Sequence, residues 1–234
     1  MIKLESLSLA YSTKSILRAS NASFGRGTLT ALVGRNGAGK STLLRALAAI
    51  DNPQSGSVVV DGKPLHSLSA DRRAKLISFV STQRVRIANL SCQDVVAIGR
   101  APYTNWVGKM QEADREIVAD ALKAVGMSDF ADRQIDSLSD GECQRVMIAR
   151  ALAQQTPVIL LDEPTAFLDI PTRFEICRLL ADLAHNSDKT IIFSTHDIDA
   201  ALPVCDAVAI LDNSAITLHS QQSAKEQIKR LFSL

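Results

Sequence analysis

The chain has 234 residues, of which 46% are hydrophobic and 4% aromatic, and its 26 basic and 25 acidic side chains give a formal net charge of +1. This balance argues against a general nucleic-acid or anionic-membrane binder, which would carry a strong basic excess. The apolar content excludes a disordered chain. No apolar stretch approaches the ~18–20 residues that a bilayer-spanning helix needs, and residues 1–5 lack the apolar region of a secretory signal. Any membrane role is therefore expected to depend on a partner chain.

The first third of the chain has a mixed pattern. Alternating apolar and polar residues predict strands, and apolar residues at helical spacing predict one helix between them. Asp61 and Gly62 indicate a turn after the last of these strands. The predicted strands cover residues 2–5, 7–9, 28–33 and 58–60, and the helix covers 40–50.

The middle of the chain, residues 91–154, has mainly helical periodicity. Ser91 and Asp94 have the spacing of a helix N-cap signal, and Gly126 is placed to end a helix. The predicted helices cover 95–98, 116–125 and 141–154. This block separates the strands of the first third from those of the last.

Apolar strands return in the last third, and continuous runs of this kind suit a parallel sheet that is covered on both faces. Strand–helix–strand alternation interrupted by a helical block predicts an α/β chain with a helical insertion. The predicted strands cover 158–161 and 191–194, and the predicted helices cover 172–184 and 225–231. The four cysteines have no metal-site spacing, so we expect reduced, buried thiols.

Residues 34–41, GRNGAGKS, fit the G-x-x-x-x-G-K-[ST] pattern of a phosphate-binding loop, between a predicted strand and a predicted helix. The glycines let main-chain N–H groups turn toward phosphate oxygens, and the helix adds its positive N-terminal dipole. Lys40 is expected to reach the β- and γ-phosphates, and the Ser41 hydroxyl to bind Mg²⁺. The pattern alone does not separate kinases, GTPases, helicases and transport ATPases. The predicted nucleotide-binding residues are Gly34, Arg35, Asn36, Gly37, Ala38, Gly39, Lys40, Ser41 and Thr42.

Two carboxylates follow the predicted strand at 158–161. Ligands of open α/β sheets lie at the carboxyl ends of the strands, so Asp162 is placed to hold Mg²⁺ together with Ser41. Glu163 is then placed to deprotonate or orient an attacking water. The alternative is a solvated acidic strand end, which is less consistent with the neighbouring phosphate loop.

Residues 138–142, LSDGE, with QR at 144–145, resemble the signature of the nucleotide-binding subunits of ATP-binding cassette (ABC) transporters, which reads LSGGQ. The resemblance covers essentially the whole chain, because the other family motifs occur in order. It implies an α/β P-loop NTPase fold with a mainly parallel core, an N-terminal antiparallel β-subdomain and an inserted α-helical subdomain. The core with its β-subdomain would cover about 1–85 and 156–234, and the helical subdomain about 86–155.

The signature is expected to form a second anion site. Ser139 and the Gly141 amide precede a helix, although an ordinary serine-capped helix is the alternative. The family pairs two subunits head to tail, with each ATP between one phosphate loop and the other subunit's signature. Ser139, Gly141 and Glu142 are the expected ATP contacts. Asp140 and Glu142 depart from the family residues, and either they point away from the γ-phosphate or neighbours such as Arg145 screen them.

Four further residues match single family positions. Tyr11 matches the aromatic that stacks on adenine, and Gln83 matches the glutamine that contacts Mg²⁺ and the attacking water. Asp169 lies in the loop that crosses the dimer interface, and His196 matches the histidine that holds the γ-phosphate. The alternatives are a plain strand tyrosine, a surface glutamine, a helix cap and a structural histidine.

The resemblance implies in-line attack of water on the γ-phosphate of ATP. Lys40, Mg²⁺ and the signature helix would stabilise the transferring group. Glu163 would act as the base, His196 would orient the phosphate, and Gln83 would sense it. The cofactors implied are ATP and Mg²⁺, and activity is expected to require a dimer of two identical chains.

The segment after Gln83 is expected to face a transmembrane permease. Residues 99–106, GRAPYTNW, look like the insertion of importers for iron-siderophore complexes, haem or cobalamin, and Trp106 is the only tryptophan. A surface loop with an aromatic cluster is the alternative, and Arg84 and Arg86 either pair with acidic partner residues or are solvated. The importer group implies a peripheral position on the cytoplasmic face of the membrane, with an extracytoplasmic binding protein as an indirect partner. The ATPase of an exporter or a soluble assembly factor remains the rival function.

Overall fold

The computed structural model describes residues 1–12, 14–83, 88–104 and 110–232. The strands are β1 (Ile2–Tyr11), β2 (Lys14–Phe24), β3 (Thr28–Val33), β4 (Ser55–Val60), β5 (Lys63–Pro64), β6 (Ile77–Val80), β7 (Val158–Leu161), β8 (Thr190–Ser194), β9 (Ala207–Asp212) and β10 (Ala215–Ser220). The helices are α1 (Lys40–Leu47), α2 (Ala70–Ala74), α3 (Cys92–Ala97), α4 (Glu112–Ala124), α5 (Asp140–Ala153), α6 (Ile170–Asn186), α7 (Ile198–Ala201) and α8 (Gln221–Phe232). The predicted contact residues Arg84, Arg86 and Trp106 lie outside the described ranges.

A six-stranded sheet forms the centre, with the strand order β10-β9-β3-β8-β7-β6. Its strands are parallel except for the antiparallel pair of β9 and β10 at one edge. All residues of β7 and β8 are buried, because apolar layers cover both faces of the sheet. The predicted mainly parallel core is confirmed, and β7 has the predicted bounds. The topology brings the carboxyl ends of β3, β7 and β8 to one edge.

A second sheet is antiparallel, with the order β2-β1-β4-β5. The separate strands predicted at 2–5 and 7–9 are one strand, β1, whose alternation is broken by a shift in pairing between Leu4 and Leu7. Ser6 lies at this shift with a left-handed backbone (φ 45°), as in a β-bulge. Helix α1 packs between the two sheets through an apolar cluster that includes Leu43 and Leu47. The predicted N-terminal antiparallel sheet is confirmed.

The helical block contains α3, α4 and α5, which pack on one another and contribute to the larger apolar core. Ser91 and Asp94 form the predicted capping box. Helix α4 begins at Glu112, earlier than predicted, because Asp114 makes a capping box with Gln111. Helices α6 and α8 also extend beyond their predicted bounds. Within the described ranges, no helix combines the length and apolarity that crossing a bilayer would require.

Candidate functional site

The phosphate loop connects β3 to α1 at the centre of the six-stranded sheet. Gly39 precedes α1 with a left-handed backbone (φ 101°). A Cβ atom at this position would lie 2.4 Å from Cγ2 of Ile16, so both space and conformation require glycine. Outside the predicted motif, Nζ of Lys14 donates a hydrogen bond of 2.6 Å to the Gly37 carbonyl oxygen. The loop is therefore held from the antiparallel sheet as well as from the core.

Lys40 is the first residue of α1, and its side chain is 6% exposed. Its Nζ atom donates to the Gly34 carbonyl oxygen at 3.2 Å and lies 4.0 Å from Oε1 of Glu163. The ammonium group thus lies over its own loop, next to Glu163, the predicted catalytic base. A phosphate bound in the loop would meet a positive charge that is already in place.

Arg35 was predicted to contact the nucleotide, but its side chain contacts the end of α8. Its Nε and Nη2 atoms donate to the Leu231 carbonyl oxygen at 2.9 and 2.7 Å. This cation binds a carbonyl near the C-terminal end of α8, where the helix dipole favours positive charge. A nucleotide contact of Arg35 would therefore be made by its main chain.

Asp162 lies at the end of β7 and is 8% exposed. Its Oδ1 atom accepts hydrogen bonds from the hydroxyls of Ser41 at 3.0 Å and Ser194 at 2.7 Å. Its carbonyl oxygen accepts a third, from the Thr82 hydroxyl, at 2.9 Å. The sequence did not single out Ser194 or Thr82, although each follows or ends a strand beside β7. The serine and carboxylate oxygens form a hard-oxygen donor set of the kind that suits Mg²⁺.

Glu163 has a left-handed backbone (φ 48°), which is rare and strained for a residue with a side chain. Its main-chain N–H donates to the Ser194 hydroxyl at 2.8 Å. Its carboxylate lies 3.6 Å from Nδ1 of His196, with the Lys40 ammonium on the other side. Ser194 therefore orients two consecutive acidic residues, and the turn aims Glu163 toward the phosphate loop.

His196 is half exposed and lies between two carboxylates. Its Nε2 atom is 3.8 Å from Oδ1 of Asp197. Asp197 is held in turn by Nη1 of Arg173 at 2.6 Å and by the Thr165 hydroxyl at 2.7 Å. The histidine thus lies beside Glu163 on a fixed support and is about half exposed.

The loop and Glu163 line a cavity of about 360 Å³. Tyr11 lies on its rim at the end of β1 and is 71% exposed, so one face of the ring is available for stacking. The structure thus brings Tyr11 and six of the predicted phosphate-loop residues together in one cavity. The lining residues are Tyr11, Lys14, Ile16, Asn36, Gly37, Gly39, Lys40, Ser41, Thr42 and Glu163.

Ser139 caps α5 and forms a capping box with Glu142. One oxygen of the Glu142 carboxylate, Oε2, accepts from the Ser139 N–H at 2.8 Å and from its hydroxyl at 2.7 Å. The Ser139 hydroxyl holds the pKa of Glu142 below its usual range. The Glu142 charge is therefore directed at its own helix terminus. A Cβ on Gly141 would lie 2.8 Å from Cγ2 of Thr172, so this glycine permits close packing of α5 on α6.

The remaining predicted residues lie outside the phosphate-loop cavity. Gln83 is exposed and borders a small cavity of about 40 Å³ together with Glu163 and Phe167. Asp169 caps α6 by accepting from the Thr172 N–H at 3.1 Å. Hydrogen bonds from the Thr172 hydroxyl and from this N–H hold the pKa of Asp169 below its usual range. Phe167 is 65% exposed, which leaves an apolar side chain open on the predicted interface loop.

Comparisons with a family model, with a relative and with two solved structures bear on this site. A family model described as ABC transporter matches residues 17–166. A probable siderophore transport system ATP-binding protein of Bacillus subtilis is 41% identical, over 86% of this chain and 73% of its own length. A solved inward-facing transporter of the metal-chelate ABC type superposes with a TM-score of 0.87 at 29% identity, over 100% of this chain and 89% of that one. A dimeric ATP-binding cassette in a post-hydrolysis state with ADP and Pi superposes with a TM-score of 0.80 at 29% identity, over 94% of this chain and 99% of that one.

Proposed function

We propose a function from the family to which the chain belongs, the ABC transporter family of ATPases. Two copies of the chain would hydrolyse ATP to power a permease. The permease would import a metal chelate of the iron-siderophore class. The observation that carries the proposal is the convergence of Lys40, Ser41, Asp162 and Glu163 at the phosphate loop. The transport class is supported by the relative in siderophore transport and by the metal-chelate type transporter.

Within each subunit, ATP would lie in the phosphate-loop cavity, with its adenine against Tyr11 and its phosphates under the loop N–H groups and the Lys40 ammonium. Ser41 and Asp162, with Gln83 nearby, would hold Mg²⁺, which when bound would neutralise charge on the phosphate oxygens. Ser194 keeps the Asp162 carboxylate aimed at Ser41.

Glu163 would accept a proton from the attacking water as the water oxygen bonds to the γ-phosphorus. The bond between the γ-phosphorus and the oxygen that joins it to the β-phosphate breaks, which gives ADP and inorganic phosphate. Lys40 lies 4.0 Å from one oxygen of the carboxylate and His196 lies 3.6 Å from the other, which supports a role for both in holding the γ-phosphate while this occurs. Loss of that phosphate would separate the two subunits.

The second subunit would contribute Ser139 and the Gly141 amide. In the isolated chain, the Ser139 hydroxyl donates to Glu142, so it would have to turn from this carboxylate to the γ-phosphate when the dimer closes. The dimeric cassette with ADP and Pi supports the paired arrangement. The permease would dock on the cytoplasmic side of the membrane and receive its substrate from an extracytoplasmic binding protein.

The decisive variant is Glu163→Gln, which keeps the shape of the side chain and removes the base. We expect a dimer that persists in ATP and shows little turnover, measured by size-exclusion chromatography and phosphate release. Glu116→Gln, at an exposed glutamate of α4, is the matched control and should behave as the native chain. Full turnover in Glu163→Gln would remove this residue from its role.

Transport is tested separately by co-purification with the membrane fraction. A multi-helix permease, with phosphate release stimulated by a chelate-loaded binding protein, is the expected result. Stimulation by a permease without any binding protein would point to export. Recovery with soluble partners alone would point to an assembly factor.

A further inference from the structure

A buried ion pair joins the segment that follows α3 to the first turn of α4. Nε of Arg100 donates to Oδ1 of Asp114 at 2.9 Å, and the two residues are 4% and 7% exposed. Removing two charges from water is costly, and an apolar pair of similar size would often be at least as stable. The pair therefore calls for a role other than stability alone.

Arg100 also binds the C-terminal end of α5. Its Nη1 atom donates to the Ala153 carbonyl oxygen at 2.8 Å and to Oε1 of Gln155 at 3.0 Å. Gln155 has the left-handed backbone (φ 52°) that follows a helix end. A Cβ on Gly99 would lie 2.3 Å from the Arg150 carbonyl oxygen, so glycine is what lets this segment approach α5 so closely.

Asp114 belongs to the first turn of α4, where its Oδ2 atom also accepts from the Gln111 N–H at 3.0 Å. That N–H and the Arg100 guanidinium hold the pKa of Asp114 below its usual range, so the carboxylate stays ionised. The centroid of the Tyr103 ring lies 4.1 Å from the guanidinium carbon. The Tyr103 hydroxyl donates to the Gln154 carbonyl oxygen at 3.1 Å. Arg100 thus fastens the start of α4 to the end of α5.

The other end of α5 carries Ser139. The helix has 14 residues, which at about 1.5 Å per residue makes a rod of about 21 Å. Its C-terminal part is also tied to β6, because Nη2 of Arg150 donates to the Phe79 carbonyl oxygen at 3.0 Å and Nε2 of Gln154 to that of Ile77 at 3.1 Å. A hydrogen-bonded helix does not shorten, so an axial shift at its C-terminus moves Ser139 by the same amount.

We propose that Arg100 is a positioning residue, which fixes α5 along its axis and thereby sets the reach of Ser139 toward the ATP held by a second copy of the chain. The proposal rests on the proposed function, because Ser139 would meet that ATP only in the paired state. It predicts that Arg100 affects turnover by the dimer and leaves ATP binding to the phosphate loop of the single chain unchanged.

The test is a double-mutant cycle of Arg100→Lys and Ser139→Ala in the full chain, with steady-state phosphate release as the readout. Lysine keeps the charge but cannot reach Asp114 and Ala153 together. A misplacement of about 1 Å is sufficient for a large rate loss, so we expect kcat to fall about tenfold in Arg100→Lys. In the Ser139→Ala background the same change should have almost no further effect, because the group that it positions is gone.

ATP affinity of the single chain, measured with a fluorescent ATP analogue, should stay within about twofold of the native value in Arg100→Lys. Arg115→Lys is the matched control, because Arg115 makes an exposed pair with Glu112 on the same α4 and should leave every readout unchanged. Asp114→Asn is a second, near-isosteric route to a loosened Arg100, and it decides the question if Arg100→Lys does not fold.

Additive effects of Arg100→Lys and Ser139→Ala would overturn the proposal, as would native turnover in both Arg100→Lys and Asp114→Asn. A loss of ATP affinity as large as the loss of kcat would also overturn it, since it would indicate general damage. Full turnover in Ser139→Ala with native Arg100 would refute the contact of Ser139 with ATP in the paired state. That result is therefore distinguishable from a failure of the positioning role alone.

Discussion

Ser194→Ala removes the hydroxyl that orients both acidic residues of the site. Ser194 ends β8, and the residue is fully buried. Its hydroxyl donates to the Asp162 carboxylate at 2.7 Å and accepts from the Glu163 N–H at 2.8 Å. The substitution leaves a carboxylate oxygen with one donor fewer and a main-chain N–H without its acceptor.

The cost of this change follows from the two bonds. A hydrogen bond to a charged group contributes about 1.5–3 kcal/mol, and an unsatisfied N–H costs about 1–3 kcal/mol. Because one hydroxyl serves both, we expect a loss of about 3 kcal/mol in the free energy of unfolding. For a chain of this size, that corresponds to a fall in melting temperature of about 6–12 °C. Since Asp162 loses a fixed orientation, kcat should also fall about tenfold.

The assay is thermal unfolding without nucleotide, followed by phosphate release at a temperature where both proteins are folded. Ser78→Ala is the control, because Ser78 is buried on β6 and its hydroxyl accepts a hydrogen bond from the neutral Thr156 hydroxyl at 3.1 Å. It should lose about 1 kcal/mol and keep full turnover. The reasoning is refuted if Ser194→Ala melts no lower than Ser78→Ala, or if its turnover is native.

Three further outcomes are expected. Gly39→Ala should abolish ATP binding in an analogue titration, because its Cβ would collide with Ile16, and native affinity would contradict this. The pKa of Asp114 is lower in the folded chain, so the stability that its ionised carboxylate contributes is complete above about pH 4 and is lost below it. In urea unfolding at about pH 5 and pH 3, Asp114→Asn should lose less stability at the lower pH than the native chain. An equal loss in both proteins would contradict this. Burial raises the pKa of the Cys177 thiol to about 12, so alkylation of the native protein at neutral pH should reach only the partly exposed Cys143, and a second modified site by mass spectrometry would refute this.

Features that depend on neighbouring residues were predictable from the sequence. The phosphate loop is contiguous, so its glycines, Lys40 and Ser41 are recognisable as a set. The same holds for the capping box of Ser91 and Asp94, whose partners are three residues apart. Strand β7 was predicted with its observed bounds, because a short apolar run between polar residues has few alternatives.

Features that depend on the packing of distant segments were not predictable. Ser194 contacts Asp162 across 32 residues, and Arg35 contacts Leu231 across 196. The start of α4 was missed because its cap, Gln111, is not a usual N-cap residue. The direction of the Glu142 carboxylate depends on its rotamer, which in the single chain turns it back to its own helix terminus. No spacing rule distinguishes that rotamer from one that faces a ligand.

The strand order has a consequence for how the protein is made. Strand β3, which leads into the phosphate loop, lies between β8 and β9, and both follow it by more than half of the chain. Synthesis releases residues in chain order, so β3 leaves the ribosome with neither neighbour available. Its main-chain N–H and C=O groups stay unpaired along both edges until Thr190–Asp212 have been translated, and such long-range pairing is slow. The nascent chain therefore becomes competent for nucleotide only after Asp212 has been translated, and until then its unpaired strand edges are the kind of surface that chaperones protect.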